Sequence, residues 1–287
     1  MIRIIQSRLN VYNPVNEQEE QNAIKEITQE IALTGLSRVG FFKEAAFLGG
    51  TSLRILHGLN RFSEDLDFSL IAPTQTFNWA KYLGGLQLEV EAYGYKIEII
   101  DRSSVGNAVK SAFLKENSIG KLLTLHHPAQ GPQKTLKIKF EIDTNPPLGA
   151  AFEERYVDFP VTVPVLTYDL PSLFAGKSHA LLCRDWGKGR DWFDFIWYVG
   201  QKTHINWLFL SNAIKQNGPW QGANIRVTKQ WYVERLREKI VGTDWKKQVE
   251  DVSRFVKKHD VDLLQHWGVD FFLMRVEALE KYLSFTP

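Results

Sequence analysis

Cysteine is almost missing from this 287-residue chain, with Cys183 the only one. A lone thiol cannot close an internal disulfide, which sets aside the small disulfide-stapled secreted domains and fits a reducing cytoplasm. Long apolar runs are missing too: the longest, at residues 195–199 and 271–274, fall far short of the ~20 residues a helix needs to cross a bilayer. No membrane association is expected. The opening MIRIIQSRLN lacks the apolar core, about 7 to 15 residues long, of a secretory signal, so the expected location is cytoplasmic. Charge of one sign is also lacking. With 35 Lys and Arg against 33 Asp and Glu, the formal net charge is +2, too mild to mark a nucleic-acid binder by bulk charge.

Hydrophobic residues at 44% and aromatic residues at 13% provide for a buried core and exclude global disorder. The length predicts two domains, or one with an appendage. Residues 16–36 place Ile24, Ile27 and Ile31 at helical spacing behind a capping Asn16 and a run of acids. A short apolar run at 45–48 then meets a glycine pair, and 51–57 reads as a brief helix closed by Gly58. Residues 65–71 read as a strand, 76–93 as a helix and 95–100 as a strand. The clearest alternation is KTLKIKFEID, residues 134–143. Leu136, Ile138, Phe140 and Ile142 share one face; Lys137, Lys139, Glu141 and Asp143 share the other. In the β-rich RYVDFPVTVPVLTY, Pro160 and Pro164 predict an edge strand. Beyond it the pattern turns helical, at 170–183, 190–199, 204–216, 228–241, 244–259 and 269–283. These expectations give a mixed α/β domain over 1–167 and a helical domain over 168–287, with no internal repeat.

The chemistry gathers in GGTSLRILHGLNRFSEDLDF, residues 49–68. In a strand, Asp65 and Asp67 point to one side while Leu66 and Phe68 turn to the core. Two carboxylates that close repel unless a cation is shared, and oxygen-ligated Mg²⁺ suits them, normally with a substrate phosphate as a further ligand. A third carboxylate is then wanted from another strand, and Glu141 or Asp143 on the polar face of KIKFEID can supply it. Gly49 and Gly50 let a triphosphate approach the backbone, and the amides at the following helix start favour an anion. Thr51 and Ser52 offer hydroxyls; Arg54 or Arg61 can neutralise phosphate charge. Adjacent anion and metal sites are what phosphoryl or nucleotidyl transfer requires. Each element alone is common in loops and turns, and it is their combination in one strand, turn, helix, strand window that points to a site.

With GGTSL, HGLNRFSEDLDF and the later LFAGKSHALLCRDWGKGRDWFDF, the chain resembles the AbiEii/AbiGii nucleotidyltransferases. They are toxins of bacterial abortive-infection and type IV toxin–antitoxin systems, within the polymerase-β-like minimal nucleotidyltransferase superfamily. The resemblance covers roughly residues 40–200. It implies an α+β fold, a minimal nucleotidyltransferase-like mixed β-sheet with flanking helices plus a C-terminal helical domain. Gly49, Gly50 and Thr51 fall on the phosphate-holding turn, with threonine in place of serine, and Asp65 and Asp67 on the metal pair. For the third carboxylate it favours Glu141, with Asp143 as rival. Lys177 matches the lysine of the family's helical motif and Asp191 the aspartate of its Arg-Asp pair. As chemistry, Lys177 is a partner for a triphosphate, with Arg184 on the same helical face; the alternatives are a solvated charge for Lys177 and a first-turn acid for Asp191. The resemblance further implies a nucleoside triphosphate substrate, Mg²⁺ as one or two ions, an acceptor such as the 3′ end of tRNA or another RNA, and a cognate antitoxin. The alternatives are a nucleotide- or partner-binding protein without transferase activity, and a metal-dependent nuclease.

Other residues suit structural roles. His57, His126, His127 and His179 lack the spacing of a zinc site. Trp192, Phe193, Phe195, Trp197 and Tyr198 fit helix packing better than a stacking platform. The basic stretches KQWYVERLREK, DWKKQ and RFVKK fit solvated helix faces better than an RNA surface.

Overall fold

The computed structural model describes residues 2–103, 107–116, 118–128 and 135–283. The chain forms two compact units: residues Met1–Pro146 with Glu153–Thr167, and Pro147–Phe152 with Tyr168–Pro287. The first opens with helices α1 (Ile2–Tyr12) and α2 (Glu17–Arg38). α2 starts where Asn16 accepts a hydrogen bond from the Glu19 amide at 2.8 Å, with Glu17, Glu19 and Glu20 in the first turn, so cap and helix dipole act together. There follow β1 (Ala45–Leu48), α3 (Gly49–His57), β2 (Leu66–Leu70), α4 (Ala80–Ala92), β3 (Ile97–Asp101), β4 (Val109–Glu116), α5 (Ile119–Leu122), β5 (Leu136–Asp143), β6 (Phe152–Val157) and β7 (Val163–Tyr168). They build a mixed seven-stranded sheet in the order β3-β4-β5-β2-β1-β7-β6. β2 runs parallel to β5 and antiparallel to β1.

One hydrophobic core joins the inner faces of β2 and β5 to α2 and α4 through Phe68, Phe140, Ile27 and Leu86. The two helices approach closely: a Cβ on Gly35 would lie 2.9 Å from Leu86, tighter than van der Waals contact allows. The fold class is α+β, as the sequence implied. Several details depart from the sequence reading. α4 begins at Ala80 rather than near residue 76, because Phe77 and Trp79 are drawn into the core, where Trp79 stacks on Phe41 at 5.5 Å. β4 and α1 were not foreseen. β7, which carries Pro164, lies between β1 and β6; the edges of the sheet are β3 and β6, and β6 takes in the first residues of the stretch read as an edge strand. Pro164 is tolerated because it falls at the second residue of β7, before the pairing of Phe47 with Thr167. Lys134, read as the start of the strand before Leu136, lies outside the described residues.

The second unit comprises α6 (Leu170–Cys183), α7 (Gly189–Gly200), α8 (Trp207–Gln216), α9 (Lys229–Val241), α10 (Trp245–Ser253), a 3-10 segment (Lys258–His266) and α11 (Val269–Tyr282). Side chains cap four of the helices, Asp169 on α6, Asn206 on α8, Thr228 on α9 and Asp244 on α10. α8 therefore starts at Trp207, not at residue 204. Trp192, Phe195 and Tyr198 of α7 are buried, with Trp192 against Trp245 and Phe272 and Tyr198 stacked on Phe174. No helix among the described residues is long and apolar enough to cross a membrane.

Candidate active site

The parallel pairing of β2 with β5 sets Leu66 beside Phe140, Asp67 beside Glu141, Phe68 beside Ile142 and Ser69 beside Asp143. Side chains alternate, so the apolar members are buried in the core and Asp67, Glu141 and Asp143 share the opposite face. Asp65 precedes β2 by one residue and Asp67 by two. Burial, and then the charge of Glu64, lifts its carboxyl above the usual range; Lys25 and Lys139 oppose this and Glu141 adds to it. Asp65 and Glu141 thus feel one another's charge. Glu141 receives Lys139 Nζ at 2.7 Å and the hydroxyl of Ser111, its neighbour on antiparallel β4, at 3.4 Å. Asp143 stands one pleat farther along, opposite Ser69, where it accepts the Asn145 amide at 2.9 Å. Burial raises its carboxyl as well, against that hydrogen bond. The register therefore brings Glu141, rather than Asp143, across from Asp67.

The same strand meets the start of α3. Leu48, the last residue of β1, pairs with Asp67, and the chain enters α3 through Gly49 at φ +81°. A Cβ there would stand 2.5 Å from Asp67 Oδ2, so only glycine lets this carboxylate lie against the helix start. A Cβ on Gly50 would stand 2.5 Å from Arg61 Nη2. Leu48, at the N-cap of α3, has no side chain that can bond the first turn, and amides at such a helix start favour an anion.

The hydroxyls expected at this turn are engaged inside the protein. Thr51 Oγ1 donates to the Asp65 backbone carbonyl, and Ser52 Oγ lies 3.0 Å from Thr167 Oγ1; both residues are wholly buried. They tie α3 to the segment before β2 and to β7. Arg54 is also committed, donating to Glu26 at 2.8 Å and to the Leu59 carbonyl at 2.9 Å, with its guanidinium over Phe62. Arg61 is the cation next to the turn. It is buried and donates to the Phe62 carbonyl at 2.9 Å.

Lys177, Arg184 and Asp191 belong to the second unit. Lys177 Nζ lies 2.6 Å from Asp191 and 2.8 Å from Asp194, and Arg184 also pairs with Asp191. Lys177 is thus no solvated face charge: it sits nearly buried between two carboxylates. Asp194, completely buried, was missed by sequence reasoning, although its i+3 spacing from Asp191 in RDWFD was the available signal. Glu20 was missed as well; buried on α2, it accepts the amides of His126 and His127 and fixes that segment.

Among the described residues no three His, Cys, Asp or Glu side chains already converge as a metal cage. The donor chemistry nonetheless fits a hard divalent cation: carboxylates on the adjacent strands β2 and β5, with Asp65 just before β2 raised by burial and then by the charge of Glu64, beside the start of α3. It does not fit zinc, which prefers His and Cys.

The model of a family described as "Nucleotidyl transferase AbiEii toxin, Type IV TA system" matches residues 31–275. Among solved structures, MenT4, a nucleotidyltransferase toxin from Mycobacterium tuberculosis H37Rv, is similar at 16% identity, with 99% of each chain covered and a TM-score of 0.49. JHP933 from Helicobacter pylori is similar at 16% identity, with 91% of each chain covered and a TM-score of 0.48. No curated protein matches the chain.

Proposed function

Since the chain belongs to the AbiEii nucleotidyl transferase toxin family of type IV toxin–antitoxin systems, and so is a nucleotidyltransferase, we propose that it moves a nucleotide from a nucleoside triphosphate to an RNA, such as the 3′ end of tRNA. The observation that carries this reading is the joint placement of Asp67 across from Glu141 and against the uncapped start of α3. In the transfer, an acceptor hydroxyl oxygen bonds to the α-phosphorus, the bond to the β-phosphate oxygen breaks, and pyrophosphate leaves. The α3 amides would hold the phosphates, and Arg61 beside Gly50 would offset part of their charge. Asp65, Asp67 and Glu141 would hold Mg²⁺, which when bound acidifies the acceptor hydroxyl and neutralises charge on the triphosphate and on the departing pyrophosphate. Asp143 stands one pleat away as the lesser candidate. Family membership implies growth inhibition relieved by an antitoxin partner; an abortive-infection role is the biological setting this reading proposes.

The test is to incubate the full chain with Mg²⁺, each labelled nucleoside triphosphate in turn, and total RNA, beside an Asp67→Ala variant. Label entering RNA with the wild type alone is the expected result. Label entering protein would replace the acceptor; triphosphate binding without transfer would favour a binding protein; shortened RNA would indicate a nuclease.

A further inference from the structure

The loop between α6 and α7, RDWGKG at residues 184–189, belongs to the second unit and has features the carboxylate site does not use. Its Trp186 is 67% exposed, an unusual position for the largest apolar side chain, and it makes no ring contact among the described residues. Beside it, the Lys188 ammonium makes no hydrogen bond or ion pair among the described residues. Burial, and then the charge of Arg184, pushes this amine below its ordinary range; Asp191 opposes the shift, and Arg190 and Lys177 add to it. Asp191 is already divided between Lys177 and Arg184. Residues 184–191 carry three cations, Arg184, Lys188 and Arg190, against two acids, Asp185 and Asp191.

The loop is also held in place. Lys239 Nζ donates to the Arg184 carbonyl at 2.6 Å. A Cβ on Gly189 would lie 1.9 Å from the Gln248 carbonyl oxygen, and one on Gly187 would lie 3.0 Å from the Gln248 amide; glycine lets the loop close onto α10. An exposed indole on a fixed loop, next to a cation that makes no ion pair among the described residues, provides both halves of a nucleotide contact. A flat apolar face stacks on a base and a point charge meets a phosphate, with little ordering left to do on binding. An acidic peptide would use the cations and leave the indole without a role.

We propose that Trp186 and Lys188 form a contact for single-stranded RNA, with a base stacked on Trp186 and a backbone phosphate on Lys188. This rests on RNA being the acceptor in the reading above and adds where the strand is gripped. The test uses the full chain and a fluorescein-labelled oligouridine, with binding followed by anisotropy at several salt concentrations, without Mg²⁺ or nucleoside triphosphate. Trp186→Ala is expected to weaken binding roughly 5- to 150-fold, the range for loss of one stacked base, and Trp186→Phe to retain most of the affinity. Lys188→Gln is expected to reduce the salt slope by about 0.7, the share of one phosphate on a single strand. Because Trp186 is exposed, its variants should melt like the wild type. Unchanged affinity in Trp186→Ala, or an unchanged slope in Lys188→Gln, overturns the inference. So does displacement of the RNA by polyglutamate irrespective of Trp186, the signature of an acidic protein partner. Neither metal nor triphosphate is present, so failure here leaves the transfer reading standing, and failed transfer with intact binding sinks that reading alone.

Discussion

Gly49→Ala tests the contact on which the site depends. Gly49 has φ +81°, and a Cβ there would lie 2.5 Å from Asp67 Oδ2 and 3.1 Å from Asp67 Cβ. Two effects are expected. Holding an L-residue in left-handed backbone costs about 1–2 kcal/mol. The overlap then forces either Asp67 or the start of α3 to move, at a further cost of about 1–3 kcal/mol by the measure of overpacked sites. Gly58 separates the two. It closes α3 at φ +73° with nothing within 4 Å of the place its Cβ would take, so Gly58→Ala carries the backbone cost alone. Chemical unfolding should show Gly49→Ala as the less stable variant by about 1–3 kcal/mol. Transfer activity should separate them further, since a displacement near 1 Å of a reacting-site group costs on the order of 100-fold, whereas Gly58→Ala should stay near the wild-type rate. Equal stability losses with equal activities would refute the juxtaposition of Asp67 with α3, and with it the argument that anion and metal sites adjoin.

The register of β2 and β5 predicts that Glu141→Gln abolishes transfer while Asp143→Asn lowers it only modestly, measured as label incorporation into RNA; the opposite order would make Asp143 the third ligand. Lys139 holds Glu141 at 2.7 Å, so Lys139→Gln should release that carboxylate and tighten Mn²⁺ binding several-fold by calorimetry, with the Asp67→Ala variant as the non-binding reference. Glu30, buried on α2, is pushed up to about 7 from 4.5 by burial, against the pairing of Arg8. A raised folded-state value means its contribution to stability is complete below pH 4.5 and is lost as pH rises through about 7, a change on the order of 3 kcal/mol. Glu30→Gln should flatten the stability profile between about pH 4.5 and 7, and a profile parallel to the wild type would refute the assignment.

The sequence made legible whatever depends on local pattern. Asn16 announced α2, the alternation of KIKFEID announced β5, and the glycine pair ahead of Asp65 and Asp67 marked the turn where β1 enters α3 beside β2. Partner choice between distant segments was not legible. β4 has only Ala112, Leu114 and Glu116 buried along one face, too weak a period-2 signal to stand out, yet it fills the place between β3 and β5. Whether Glu141 or Asp143 faces Asp67 depends on a one-pleat choice of register, which alternation alone leaves open because both lie on the polar face.

The polar residues of the glycine turn show the same limit in energetic terms. Thr51, Ser52, Arg54 and Arg61 all have groups that can meet a phosphate, and composition gives no ground for separating them. Burial does separate them. A buried hydroxyl without a partner costs about 1–3 kcal/mol, so in the wholly buried Thr51 and Ser52 the internal bonds to Asp65 and Thr167 are requirements of folding. Arg54 meets the same demand through Glu26. The backbone amides of α3 meet no capping side chain from Leu48, the residue at the N-cap. Selecting a donor for a substrate phosphate therefore means asking which polar groups the fold has already committed; at this turn the hydroxyls and Arg54 are, and the reading rests on the backbone amides with Arg61 beside them.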